Sequence, residues 1–455
     1  MRFIIQNVGP IRDANFEFGK LTVLCGKNNT GKTYITYNTF NFLDAIKRHI
    51  NVPVAKEVAE QLLREGRLEI HLLEYLSHAN EYIAESMRQW IAEDSSRYMA
   101  TKADYYRSSV MRVEVEQERW NRLGRNLRLT WAPRVTQHCS LQVSKSVGTD
   151  VIEVVLVNQG EQLPDVNVML SNIKFLIKWC FGFLIPDLFV ITCERTGAAV
   201  FRASFMAQQS AEEDAELVNG AIKQWWFEGD KRFRGYPLPV AKDMKFSLEL
   251  DETSTRTGDF AKQHPQILSY FEKIAGGCYS VQDHNAVKFV PSGKDVGLSP
   301  VESSSSVRSL MELGFYLKHK AKDGQCLVID EPELNLHPDM QRKVARLLAR
   351  LVNAGIYVAI TTHSDYVIKE LNTLIMLGYE DVRSSQLMAK YGYERGEILK
   401  AADVRAYCTT GAGVEPMPVS QDVGITVRSF DDSIREMAQI QNDIAFGRAS
   451  FSANT

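Results

Sequence analysis

An α/β fold is predicted by three features of the sequence. Residues 21–24 form an apolar strand that runs into Gly26-Lys27-Asn28-Asn29-Thr30-Gly31-Lys32-Thr33, and residues 34–48 continue as a helix. After Gly324 the pattern alternates regularly: strand 326–329, helix 340–351, strand 356–360, helix 366–374. The first of these later strands ends in the acid pair Asp330-Glu331, 297 positions after Thr33 (330 − 33). The glycine loop and the acids belong to one kind of site, so the two ends of the chain are expected to fold together.

Each element follows from local chemistry. Residues 1–24 read as strands joined by turns at Val8-Gly9-Pro10 and Gly19-Lys20. From about 54 to 115 the pattern is helical and amphipathic, 141–157 alternates as strands, and 173–184 is an apolar helix. Residues 209–228 and 260–275 predict further helices with charged faces, and no heptad repeat is long enough for an extended coiled coil. Near the end, 404–408 and 425–427 resemble strands and 430–444 a last helix.

Composition narrows the class. The chain has 455 residues, 45% hydrophobic and 24% charged, with a formal net charge of −3, which describes an ordinary globular protein of two or three domains without a global pull toward nucleic acid. Residues 175–192 come closest to a membrane span, but Lys178, Pro186 and Asp187 interrupt them, and the N-terminus has no signal-peptide pattern. Seven scattered cysteines without a C-x-x-C pair predict reduced thiols and a cytoplasmic protein.

The sequence G-x-x-x-x-G-K-T between a strand and a helix is suited to a nucleoside triphosphate. Gly26, Asn28, Asn29, Thr30 and Gly31 shape a loop whose backbone N–H groups can meet phosphate oxygens. Lys32 can reach the β- and γ-phosphates, and Thr33 supplies a hydroxyl to Mg²⁺. Asp330 is placed to hold the same Mg²⁺, and Glu331 to polarise the attacking water. His363, at the end of the next strand, is placed to sense the γ-phosphate; His337 is a further candidate for the same region. Ser304, Ser305 and Ser306 precede the apolar helix 310–317, where they can cap it or present hydroxyls to an anion.

These pieces resemble an ABC-type ATPase of the SMC/RecF/OLD kind. The resemblance is carried by residues 7–11 with 21–33, by residues 327–338, and by Ile360-Thr361-Thr362-His363-Ser364. It implies an ATPase head built from N- and C-terminal segments around an inserted helical or short coiled-coil region. It also implies that Lys32 and Thr33 belong to Walker A, Asp330 and Glu331 to Walker B, Asn335 to the D-loop region, and His363 to the switch histidine. Ser304, Ser305 and Ser306 would occupy the signature position, with Ser306 where the family usually has glycine. Glu194-Arg195-Thr196-Gly197 resembles a motif of the defence-associated members.

The implied organisation is an N-terminal ATPase lobe at 1–50, mixed lobe elements and the insertion at 51–294, a C-terminal lobe at 295–400, and an extension at 401–455 that either docks a partner or closes the ATPase sheet. The implied ligands are ATP and Mg²⁺. The implied assembly is a homo-oligomer with paired heads, acting with a separately encoded effector such as a nuclease and triggered by DNA or phage protein. Only 92 residues follow His363 (455 − 363), and they show no glutamate-then-D-x-D cluster, which disfavours a fused Toprim nuclease. A DNA-repair or chromosome-maintenance ATPase and a nucleotide-gated scaffold with little turnover are the alternative readings.

Overall fold

The computed structural model describes residues 1–160, 162–202, 235–282, 286–426 and 436–444. They fall into two compact units. The first holds Met1–Glu17, Tyr34–Phe189 and residues 235–241; the second holds Phe18–Thr33, residues 190–202 and the described residues from Lys242 onward. This division cuts across the sequence boundaries at 50 and 294, because the opening hairpin pairs with a strand more than ninety residues later.

In the first unit, β1 (Arg2–Val8) and β2 (Ile11–Glu17) form that hairpin. The chain then supplies β3 (Leu21–Cys25) to the second unit and enters α1 (Lys32–His49). After α2 (Lys56–Glu65) come β4 (Arg67–His71) and β5 (Val110–Glu114); β5 pairs antiparallel with β1. Strands β6 (Leu129–Trp131), β7 (Cys139–Lys145) and β8 (Val151–Asn158) join β4 in an antiparallel sheet ordered β4-β8-β7-β6. The apolar helix α3 (Val166–Leu184) packs on α2 and buries Ile173, Leu176, Ile177, Cys180 and Phe181.

The stretch 54–115 is therefore not wholly helical. Arg67–His71 alternates exposed and buried side chains, a period-two signal only five residues long inside a helical background. The helix expected at 209–228 lies outside the described residues. The helix expected at 260–275 is split by Pro265 into residues 259–263 and 265–275.

The second unit is built on a six-stranded sheet. Its remaining elements are β9 (Leu188–Ile191) and α4 (Leu238–Leu248), which both run into this unit from the first, the antiparallel pair β10 (Gly277–Gln282) and β11 (Ala286–Pro291), and α5 (Ser305–Phe315). There follow β12 (Cys326–Asp330), α6 (Pro338–Asn353), β13 (Tyr357–Thr362), α7 (Asp365–Met376), β14 (Val404–Thr409) and β15 (Val414–Met417). The order is β15-β14-β3-β13-β12-β9. Strands β14, β3, β13 and β12 are parallel, and β15 is antiparallel on β14.

Every residue of β3 and β12 is buried, as in a parallel sheet covered on both faces. In register, Ile329 lies beside Ile360, Ile360 beside Val23, and Val23 beside Ala406. One residue further, Asp330 lies beside Thr361, and beyond them Thr362 lies beside Cys25. The parallel register thus delivers the ends of β3, β12 and β13 to one edge. It is the α/β head expected from the sequence, with N- and C-terminal segments interleaved in one sheet. The segment 401–455, set apart as an extension, supplies β14 directly against β3 and so closes the sheet. Of the last predicted helix, residues 436–444 are helical and 430–435 lie outside the described residues.

Candidate nucleotide site

The glycine loop turns sharply between β3 and α1. Gly26, Asn29 and Gly31 have φ of 143°, 61° and 93°, all in the region that disfavours a side chain except on Asn or Asp. At Gly26 a Cβ would lie 2.4 Å from Thr409 Oγ1 and 2.8 Å from the Thr409 carbonyl oxygen, so β14 walls the loop. Thr409 Oγ1 donates to the Cys25 carbonyl at 3.2 Å and is 2.5 Å from Thr30 Oγ1, which donates to the Lys27 carbonyl at 2.7 Å. Lys32 Nζ donates to the carbonyls of Gly26 and Lys27 at 3.0 and 2.9 Å. Burial lowers its pKa, against the opposing pull of Glu331 and Asp330. Asn28 and Asn29 are exposed at the tip.

The acids converge on this loop. Thr33 Oγ1 donates to Asp330 Oδ2 at 3.2 Å, and Thr361 Oγ1 donates to Asp330 Oδ1. Two hard oxygen groups side by side fit Mg²⁺, which takes hydroxyl, carboxylate and phosphate oxygens and little else. Glu331 has φ of 52°, and its N–H donates to the carbonyl and the hydroxyl of Thr361 at 3.2 and 3.1 Å. Its carboxylate lies 3.4 Å from His363 Nε2. Burial and then the Lys32 charge lower the His363 pKa, outweighing Glu331 and Asp330, and the ring also hydrogen-bonds the Gly26 backbone. Lys32, Thr33, Asp330, Glu331 and His363, all expected from the sequence, therefore form one cluster.

Several residues with no expected role hold it. Glu333 Oε1 accepts from Thr362 Oγ1, the His363 N–H and the Ser364 N–H at 2.8, 2.7 and 3.1 Å, which fixes the histidine loop. Burial raises the Glu333 pKa, and these donors oppose the rise. Arg195 and Thr409 also support the loop and the acids, and neither was assigned a task by spacing alone. Arg195 lies in the Glu194–Gly197 stretch that carries part of the resemblance, but what it and Thr409 hold shows only in three dimensions, since each bonds a segment far away in the chain.

The other expected residues sit apart from this cluster's hydrogen bonds. Ser304 caps α5, accepting from the Val307 N–H at 3.4 Å, and its Oγ is 2.9 Å from Ser306 Oγ. Ser304 and Ser305 are exposed and Ser306 is half-buried. Asn335 is exposed with φ of 58°. His337 caps α6, its Nδ1 accepting from the Asp339 N–H at 3.4 Å, so capping is the task observed for it. A cavity of about 560 Å³ opens elsewhere, lined by Lys20, Tyr357 and Asp403. Those residues begin or precede strands, whereas ligands of open parallel sheets bind outside the carboxyl ends, so the cavity is not the reactive centre.

Comparison with known families bears on the second part of this site. Residues 195–368 match the AAA ATPase domain family, less than half of the chain but including β12, Asp330, Glu331 and His363. This stretch is similar to an AAA ATPase domain. No curated protein matches the chain. Among solved structures it is similar to an SMC head bound to the C-winged helix domain of ScpA, at 10% identity and TM-score 0.38, covering 92% of this chain and 97% of that one. It is similar also to an Smc head with an extended coiled coil bound to the C-terminal domain of ScpA from Pyrococcus furiosus, at 12% identity and TM-score 0.35 over 97% and 98%. A third is the SMC head domain from Thermotoga maritima, at 10% identity and TM-score 0.31 over 92% and 98%. At these scores the likeness carries no weight of its own; strand order and register carry the fold. The match begins at Arg195, so the glycine loop is contributed by chain outside the matched stretch. No helix among the described residues is long and apolar enough to cross a membrane.

Proposed function

We propose that the chain binds and hydrolyses ATP as the switch subunit of a bacterial anti-phage defence complex, sensing a phage trigger and controlling a separately encoded effector, a nuclease. The observation that carries the chemistry is the contact of Thr33 with Asp330 beside the Glu331–His363 pair, under a buried lysine. Thr33 and Asp330 would hold Mg²⁺, which neutralises charge on the phosphates. Glu331 takes the proton of a water as its oxygen attacks the γ-phosphorus; the bond to the β–γ bridging oxygen breaks and ADP leaves. His363, spanning Gly26 and Glu331, keeps that carboxylate in place and responds to the γ-phosphate. The capped, exposed serines at the start of α5 suit a signature segment offered to the nucleotide of a second head.

The defence role rests on the resemblance of residues 194–197 and of the nucleotide motifs to defence-associated ATPases. ATP turnover should fall about 100-fold or more in Glu331→Gln and in Lys32→Ala. Equal, near-zero rates for wild type and Glu331→Gln would leave only a nucleotide-gated scaffold. Co-expression with the neighbouring genes should protect cells from phage plating and co-purify an effector. Hydrolysis that needs DNA, with no protection, would instead favour a repair ATPase.

A further inference from the structure

Arg195 is buried, only 2% exposed, and spends its guanidinium on carbonyl groups. Nε donates to Ser309 at 3.0 Å, Nη1 to Thr192 at 2.7 Å and to Asp330 at 2.8 Å, and Nη2 to Glu331 at 2.6 Å. These acceptors belong to separate pieces of the site: the end of β9, the start of α5, and the peptide that carries both acids. A planar fork with several fixed donors can hold such an arrangement, and a lysine ammonium cannot reproduce it.

The Glu331 peptide needs that hold. A non-glycine residue at positive φ is strained and persists only where its surroundings dictate it. Here Thr361 fixes the N–H side and Arg195 fixes the carbonyl side. The same carbonyl accepts from the Leu334 N–H at 3.0 Å, and the Leu334 carbonyl accepts from Ser309 Oγ at 2.6 Å. Ser309 therefore ties α5 to the acid-bearing turn twice, once through Arg195 and once directly. Asp243 of α4 lies near the buried cation and accepts from the Thr192 N–H at 2.8 Å and the Thr192 hydroxyl at 2.5 Å.

We propose that Arg195 is a positioning residue for hydrolysis: it locks the Glu331 peptide to α5, so that turnover depends on it while nucleotide binding does not. The proposal rests on the ATPase reading above. It makes the helix headed by Ser304–Ser306 mechanically continuous with the residue that activates water.

The test uses the full chain. Wild type, Arg195→Lys, Arg195→Ala and Glu331→Gln are compared for kcat and KM of ATP hydrolysis, for ATPγS affinity by calorimetry, and for thermal melting. The expected result is a fall in kcat of about 10- to 100-fold in both Arg195 variants, since a displaced catalytic group loses rate steeply. ATPγS affinity should stay within about threefold of wild type, the sign of an interaction used only in the transition state. Millimolar guanidinium should restore part of the Arg195→Ala rate, and equal sodium chloride should not. Arg195→Lys, which keeps a buried cation, carries the test if Arg195→Ala does not fold. A wild-type kcat in Arg195→Lys, or kcat and affinity falling together, would overturn the proposal while leaving the ATPase reading intact. Turnover in wild type no higher than in Glu331→Gln would remove both.

Discussion

Gly26 shows how much a single residue can settle. Its φ of 143° is closed to other residues, and the space where a side chain would begin is filled by Thr409, including its backbone oxygen. A methyl group there has to push the end of β14 away from the loop. Gly26→Ala is therefore expected to abolish ATP binding while the rest of the sheet stays folded; calorimetry with ATPγS and circular dichroism would check the pair of outcomes, and undiminished affinity would count against this reading. Gly26 was legible in the sequence as part of a phosphate loop. The reason it must be glycine was not, because Thr409 is 383 residues further along the chain (409 − 26).

Helices of the second unit are joined to one another by buried charge. Glu370 of α7, its side chain 2% exposed, accepts from Arg342 Nε at 2.7 Å and Arg346 Nε at 2.5 Å, both on α6. Removing one partner strands the other, and Arg346 is only 16% exposed. Glu370→Ala should cost about 3 kcal/mol, read from urea unfolding of the full chain; a change close to zero would show that water repairs the gap. Asp243 of α4 and Glu312 of α5 are a different case. Burial raises the pKa of both, and Glu312 is driven furthest, with the Asp243 charge and their shared hydrogen bond adding to burial. A folded-state pKa above the unfolded value gives stability that is present below the ordinary carboxylate range and is lost as pH rises through the raised value. Gln at position 312 has no such proton to lose. The melting temperature of Glu312→Gln should therefore gain on that of wild type as pH rises above the ordinary carboxylate range, and a constant gap would refute the raised pKa of Glu312. Neither cluster was legible in the sequence: Glu312 sits in an apolar helix pattern and reads as an exposed interruption until the fold buries it.

For the whole molecule, the proposed pairing of heads through the serines of α5 can be tested. Ser304 and Ser305 are exposed at the start of α5, and their described hydrogen bonds are local. A head that is blocked in hydrolysis but still binds nucleotide should stay paired. Light scattering of Glu331→Gln is expected to show a doubled mass with ATP and Mg²⁺ and the smaller mass without them. Ser305→Arg should prevent the doubling and leave ATP binding intact; a mass indifferent to ATP in Glu331→Gln would argue against paired heads.

Local chemistry alone determined the nucleotide loop, the two acids, the histidine and the strands that carry them. Their identities follow from short motifs whose backbone conformations and side-chain types are fixed by neighbours in sequence. Tertiary structure decided what those motifs require to act together. The parallel register of β3, β13 and β12 sets Thr33 beside Asp330. The placement of β14 makes Thr409 a wall of the loop. Arg195, Glu333 and the Asp243–Glu312 pair gain their roles only where folding excludes water, because a buried charge or carbonyl must find its partner there, however far away in the chain that partner lies.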